Sequence, residues 1–271
     1  MPELPEVETI KNDLAPIVAG HHFVGVTFLC PQMVRHLSPD ELCQRLIGQT
    51  IREVARRGKY LIFRLNDGEA LLLHLRMSGS LLIKSSPVEL NSYTRAIFNL
   101  ENGIELHFCD RRKLGTIELV RDEAEAMAKL GPEPLDPSFT TEVLSQRLSR
   151  HRAPIKAVLC DQAFLAGIGN MYADEALFSA RIHPLKPARA LSEEEIARLH
   201  RAIRQVLLSA IDNRGATISD YTGAYGQPGR HQYEFYVAHR GGQACRVCQT
   251  AIQRIPIRNR GTYFCPNCQK K

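Results

Sequence analysis

Two clusters in this sequence bring together residue types that can do chemistry at the spacing the chemistry needs. The first is the opening stretch MPELPEVET, in which Pro2 follows the initiating methionine and Glu3 and Glu6 lie within one helical turn of it. A methionine ahead of a small residue such as proline is commonly removed, which leaves the nitrogen of Pro2 as the terminus. A terminal amine titrates near ~7.7–8.0 and a lysine near ~10.4, so at neutral pH roughly a tenth of the former is an unprotonated nucleophile, against well under a thousandth of the latter. A secondary amine that adds to a carbon at the aldehyde oxidation level gives an iminium, which is cationic without further proton transfer and acts as an electron sink. The proline ring limits how the nitrogen points, and Glu3 and Glu6 supply proton donors or acceptors beside it. The plainer alternative is a proline at position two by accident, with acids that serve the dipole of a first helical turn.

The second cluster is Cys245-x₂-Cys248 followed, after sixteen residues, by Cys265-x₂-Cys268. Each CxxC bends tightly enough to aim two sulfurs at one ion, and the overall spacing is that of a four-thiolate zinc site. Four sulfurs leave no open coordination position, so the expectation is one structural Zn²⁺, which replaces the core that so small a module cannot build. Disulfides are the alternative for these four cysteines. The remaining four, Cys30, Cys43, Cys109 and Cys160, stand alone and read as small buried hydrophobes. The intervening QTAIQRIPIRNRGTYF fits two strands with Asn259-Arg260-Gly261 at the turn. Arg254, Arg258 and Arg260 then project from a rigid hairpin, as phosphate contacts or as a solvated basic surface.

The elements that must position these clusters are legible in the periodicity. Residues 5 to 18 place Ile10, Leu14 and Ile17 at helical spacing. HFVGVTFLC, TIREVARR, KYLIFRLN, EALLLHLRM, TRAIFNL, IELHF and GTIELV are short β-type runs separated by turn signals such as Asn66-Asp67-Gly68 and Asn102-Gly103, which predicts an antiparallel sandwich or barrel. GPEPLDP at 131–137 reads as a linker, and the residues after it have helical periodicity. The longest helix has Ser192 as N-cap and Gly215 as its stop. A Gly- and Tyr-rich loop from Ala216 to Gln232 is longer than a mere connector needs to be. The chain has 271 residues, a net charge of +6, and seven Lys or Arg with no acid from Arg240 onward, against four acids and Lys11 in the first twenty. That asymmetry suits a polyanion partner at the C-terminal end. There is no apolar run of about 18 residues and no export signal, so a cytoplasmic location with no membrane partner is expected.

PELPEVET, RRGKYLIF, HLRMSG, DRRKLG, GPEPL, LAGIGNMYADEALF, IHP and RNRGTYFCPNCQKK, in this order from residue 2 to the C-terminus, resemble the formamidopyrimidine-DNA glycosylases, bacterial enzymes that excise 8-oxoguanine and ring-opened purines. The resemblance implies an α+β multidomain fold: an N-terminal antiparallel β-sandwich with a leading helix (1–130), a helical helix-two-turn-helix domain (131–225) and a C-terminal zinc-finger β-hairpin (226–271), with damaged double-stranded DNA held between them and the protein a monomer. It implies Pro2 as nucleophile and Glu3 as proton donor to the sugar ring oxygen, with Glu6 supporting that site and Lys59 contacting phosphate beside the lesion. Lys156, Asn170 and Arg260 are implied as phosphate contacts. Met77, Arg112 and Leu114 match the trio that fills the gap left by a flipped base. Leu114 stands where the family commonly has phenylalanine, NSYTR where it often shows His-Asp-His, and YVAHRGG where it often shows a Val-Tyr-Gly run. In the loop, Ser219, Asp220 and Tyr221 are the positions expected to read the base. The rival expectations are a relative of the endonuclease VIII type, acting on oxidised pyrimidines, and a non-catalytic zinc-ribbon DNA-binding protein.

Overall fold

A computed structural model describes residues 1–85 and 90–271. The chain forms two compact units, Met1–Ala128 with Asn213–Arg230, and Lys129–Asp212 with His231–Lys271. Each unit therefore takes two stretches of chain, whereas a division at 130 and 225 follows chain order alone. The segment 213–230 packs in the first unit, and the zinc module shares the second with the helices.

The first unit opens on helix α1, Leu4–Val18, whose Leu4, Val7, Ile10, Leu14 and Val18 are fully buried along one stripe. Pro5 sits in its first turn, where a missing N–H costs nothing. Two sheets succeed it. The four-stranded one runs β1 (Phe23–Phe28), β7 (Thr94–Leu100), β8 (Ile104–Asp110), β6 (Gly79–Ser85). The five-stranded one runs β2 (Val34–Arg35), β9 (Thr116–Val120), β5 (Ala70–His74), β4 (Tyr60–Leu65), β3 (Ile51–Arg57). All pairings are antiparallel except the short β2–β9 contact. Inward residues of both sheets, among them Leu61, Phe63, Leu71, Leu73, Phe98, Leu106, Phe108 and Ile117, form one core with the apolar stripe of α1. Burying such side chains contributes roughly 1.5–3 kcal/mol each before chain entropy is counted. Tyr221 and Ala224 belong to this same core, which is how the late segment is drawn in. Strand β6 and helix α2 (Pro39–Leu46) are additions to the elements that periodicity predicts.

In the second unit, α4 (Thr141–Leu148), α5 (Ile155–Leu159), α6 (Asn170–Ser179) and α7 (Glu193–Asp212) come after the short α3 (Glu123–Met127) of the first. Helix α7 starts with a reciprocal cap, Glu195 N–H donating to Ser192 Oγ at 3.3 Å and Ser192 N–H to Glu195 Oε2 at 2.8 Å. It stops at Asp212, and both Arg214 and Gly215 then adopt positive φ. The hairpin of β10 (Gln253–Ile257) and β11 (Arg260–Phe264) turns through Arg258 and Asn259, at φ +45° and +62°. The expected turn at Asn259-Arg260-Gly261 is thus displaced by one residue, because Ile257 pairs with Arg260 and a two-residue turn of this hand needs both central residues at positive φ.

Candidate active site and nucleic-acid interface

Pro2 is buried and stands just ahead of α1, with Glu3 at the N-cap. Glu3 and Glu6 are 2 % and 0 % exposed, unusual values for carboxylates and tolerable only with hydrogen-bond donors. The Glu6 carboxylate divides its donors. Oε2 accepts from the Glu3 N–H at 2.8 Å, as in a capping box, and Oε1 accepts from the Ala216 N–H at 2.8 Å, two hundred and ten residues away in sequence. Gly215 makes this approach possible: it has φ +75°, and a Cβ there would lie 2.8 Å from Glu6 Oε1.

Further along α1, buried Asp13 accepts from Arg214 Nη2 at 2.7 and 2.9 Å and from the Ala224 N–H at 3.1 Å. The residue two before the loop and one at its middle thus rest on one carboxylate. Tyr221 is 5 % exposed, and its hydroxyl donates to the Arg214 carbonyl at 3.1 Å. Burial, with the Glu6 charge beside it, raises the pKa of this phenol. Tyr221 therefore faces inward as an anchor of the loop. Ser219 is exposed, bonded to Asp220 Oδ2 at 3.1 Å, and Asp220 pairs with Arg111 at 3.4 Å.

Lys59 occupies the two-residue turn between β3 and β4, with Gly58 at φ +57°, and is 5 % exposed. Nearby His74 is a buried titratable residue that pattern reading passed over. Its Nδ1 accepts from the Arg76 N–H at 3.0 Å. Burial first, then the charges of Arg76 and Lys59, push its pKa down to about 3, so it is neutral at any working pH.

Met77 and Leu114 are each 42 % exposed and Arg112 is exposed as well. They lie on two turns, β5–β6 and β8–β9, that are stitched together. Ser78 Oγ donates to Asp110 Oδ1 at 2.5 Å and accepts from the Arg112 N–H at 3.2 Å. Asp110 and Ser78 were visible in sequence only as members of DRRKLG and HLRMSG.

In the second unit, Asn170 is the first residue of α6 rather than its cap, a position held by Gly169. Its Nδ2 donates to the Gly261 carbonyl at 2.8 Å, joining the helix start to the hairpin. Lys156 is 1 % exposed; its ammonium pairs with Asp174 and donates to the Asn170 carbonyl at 2.6 Å. As placed, the Lys156 ammonium is engaged within the protein, by Asp174 and the Asn170 carbonyl. Burial raises Asp174 to about 7 although Lys156 and the Tyr263 N–H pull the other way. Arg260 is exposed, with Nη1 3.4 Å from the Cys160 carbonyl.

The sulfurs of Cys245, Cys248, Cys265 and Cys268 all lie within 4.8 Å of one another. Three of the pairs measure 3.4, 3.5 and 3.9 Å, against the roughly 3.8 Å that tetrahedral zinc with ~2.3 Å bonds requires. Without a cation the four cannot ionise together: burial and the neighbouring sulfurs push Cys268 up to about 12. The donor set therefore fits a dication. Backbone N–H groups of Val247 and Cys268 approach Cys245 and Cys265 sulfurs at 3.4 and 3.5 Å. Fully buried Gln269 ties the knuckle to the helices by accepting from the Cys265 N–H and donating to the Ile182 carbonyl, both at 2.9 Å. Glu175, another residue not foreseen, receives the N–H groups of Tyr236, Val237 and Ala238 at 2.7–3.1 Å.

The first unit is a sandwich led by α1 with Pro2 and Glu3 buried at the helix start, and the second holds the helices and the four-cysteine hairpin. Three family models match in sequence: the formamidopyrimidine-DNA glycosylase N-terminal domain over residues 1–117, its H2TH domain over 130–222, and a zinc finger found in FPG and IleRS over 242–271. The chain belongs to the formamidopyrimidine-DNA glycosylase family, and the four cysteines are the ligands of its one structural zinc. A formamidopyrimidine-DNA glycosylase of Symbiobacterium thermophilum is 44 % identical over 99 % of this chain and 89 % of its own, and one of Geobacillus kaustophilus is 41 % identical over the whole of both. Among solved structures, wild-type Lactococcus lactis Fpg with DNA containing N7-benzyl-Fapy-dG is 36 % identical and superposes with a TM-score of 0.93 over both chains entire. The same enzyme with DNA containing an abasic site gives 35 % identity and 0.93, over 99 % of this chain and 100 % of that one. No helix among the described residues is long and apolar enough to cross a membrane.

Proposed function

We propose that this chain is a base-excision repair enzyme that removes oxidised purines from duplex DNA and then cuts the strand at the resulting abasic site. The observation that carries the reading is the shared Glu6 carboxylate, which fixes the residue next to Pro2 and the first residue of the loop in one arrangement. Removal of Met1 exposes the Pro2 nitrogen. That nitrogen attacks C1′ of the flipped nucleotide, the bond from C1′ to the base breaks, and the base leaves with a proton. Glu3 protonates the ring oxygen as the sugar opens, which leaves an iminium between Pro2 and C1′. The iminium acidifies the adjacent C2′, so β-elimination expels the 3′ phosphate and δ-elimination the 5′ phosphate. Lys59 and Arg260 hold backbone phosphates, with Asn170 offering the helix start to another, and Met77, Arg112 and Leu114 fill the vacated stack. Ser219 and Asp220 line the loop that reads the base, and Tyr221 holds that loop down. The protein works as a monomer in the cytoplasm.

Borohydride tests the reading. Incubated with a duplex that carries one 8-oxoguanine, the protein should give a trapped covalent adduct that Glu3→Gln reduces by about 10²–10⁴ in rate. No adduct with the intact protein defeats the catalytic reading, and faster processing of thymine glycol than of 8-oxoguanine moves the substrate to oxidised pyrimidines.

A further inference from the structure

We propose that Asp110, acting with Ser78, is the positioning residue that sets the gap-filling edge, so that base excision and the choice of opposite base depend on a carboxylate that never meets DNA. The inference rests on the assignment of Met77, Arg112 and Leu114 to the vacated stack.

Asp110 closes β8 and is wholly buried. Its four acceptor directions are all taken: Oδ1 by Ser78 Oγ at 2.5 Å and Arg112 N–H at 3.0 Å, Oδ2 by Leu114 N–H at 2.7 Å and Gly115 N–H at 2.8 Å. Hydrogen bonds to an ionised acceptor are about twice as strong as neutral ones, and a buried carboxylate stripped of them is costly, so the arrangement is stiff. Three of the four donors are backbone groups of the turn that carries Arg112 and Leu114. The fourth is the side chain directly after Met77. One carboxylate thus fixes the two turns against each other.

The surroundings leave little slack. A Cβ on Gly115 would lie 2.6 Å from the Phe108 ring, and one on Gly79 would lie 2.4 Å from the Leu75 carbonyl oxygen. Arg76 and Lys113 are held at φ +53° and +56°, backbone that ordinary residues adopt only under constraint. What these stiff turns present is two large apolar side chains, each 42 % exposed, with an arginine between them in sequence order. Apolar groups held in water on rigid supports await a partner, and a guanidinium reading one base edge needs fixed placement more than it needs strength.

The test uses the full-length zinc protein and its Asp110→Asn and Ser78→Ala variants. The first substitution sets an amide N–H₂ against backbone N–H donors; the second removes only the link between turns. The measurements are 8-oxoguanine excision opposite cytosine and opposite adenine, strand cleavage at a preformed abasic site, and thermal unfolding. Misplacement of a binding group by about 1 Å can cost a hundredfold, so excision opposite cytosine should fall about ten- to a hundredfold in Asp110→Asn and less in Ser78→Ala. The ratio of excision opposite cytosine to that opposite adenine should move toward one, and abasic-site cleavage, which needs no base displaced, should fall less than excision does. Excision and abasic cleavage falling in parallel, or an unchanged ratio, overturns the proposal. Should Asp110→Asn fail to fold, Ser78→Ala decides by the same two readouts. A wild-type protein that cleaves abasic DNA but excises nothing refutes the substrate reading above, and this inference falls with it, an outcome distinct from any difference between variants.

Discussion

On the proposed reading the sandwich unit and the zinc hairpin present side chains to the same class of ligand, and they secure them by different physics. In the first unit the turns carrying Met77, Arg112 and Leu114 lie over a continuous apolar core and are pinned by Asp110, while the loop is pinned by Glu6 and Asp13. The buried apolar cluster at the hairpin carrying Arg260 is small, with Val237, Cys245, Ile252, Cys265 and the helical Phe178 as its members. There the metal does what a core does elsewhere. The difference separates their weaknesses: acid and substitution act on the first, ligand loss on the second.

The largest expected effect breaks the comparison outright if it is wrong. Chelation withdraws a metal worth about 10–16 kcal/mol to small zinc modules. NMR signals of residues 242–271 should collapse and DNA binding should fail, while signals of the sandwich persist. Loss of the sandwich signals as well would show that the metal supports both regions.

A second prediction concerns acid. The folded pKa of His74, about 3, lies below its ordinary 6.5, so the folded chain holds fewer protons than the unfolded one between those values. Its contribution is complete above pH 6.5 and is lost as pH falls through about 3. The amount has an upper bound of roughly 5 kcal/mol. Urea titrations at pH 7 and pH 4 should show His74→Gln losing less stability on acidification than wild type does.

Gly215→Ala should destabilise the first unit by about 1–3 kcal/mol, because alanine meets both an unfavourable φ and the Glu6 carboxylate. The same substitution should weaken base recognition more than abasic-site cleavage, since it displaces the loop. The smallest effect belongs to Leu114→Phe. A flat ring at this exposed position adds stacking worth about 1 kcal/mol, so affinity for lesion duplex should rise less than about tenfold, as measured by titration at fixed salt.

Sequence reasoning found the elements with strong local periodicity and the cysteines, whose spacing is itself the geometry. It passed over β6, since GSLLIKS begins with two small residues and reads as the tail of a turn. It passed over α2, although Ser38, Pro39 and Glu41 carry a helix-start signature, because eight residues give too few turns for a period to emerge. The turn of the hairpin was displaced because Arg258 and Asn259 tolerate positive φ only under the register that β10 and β11 impose. The roles of Glu3, Glu6 and the trio were legible through their motifs, but those of Asp110, Asp13 and Glu175 were not, although Asp110 and Glu175 lie within DRRKLG and LAGIGNMYADEALF. All three accept from backbone N–H groups, a role in which the donor's side chain leaves no pattern, and for Glu175 and Asp13 these donors lie 62 and 211 residues away.

The return of residues 213–230 to the first unit bears on how far this protein can be taken apart. A gene fragment encoding 1–128 would carry Glu6 and Asp13 without the Ala216 and Ala224 amides they accept from, and a hollow where Tyr221 belongs. Swapping helical segments between homologues would likewise import foreign anchors for a resident helix. Modular as it looks along the gene, the protein can be recombined only by exchanging both stretches of a unit at once.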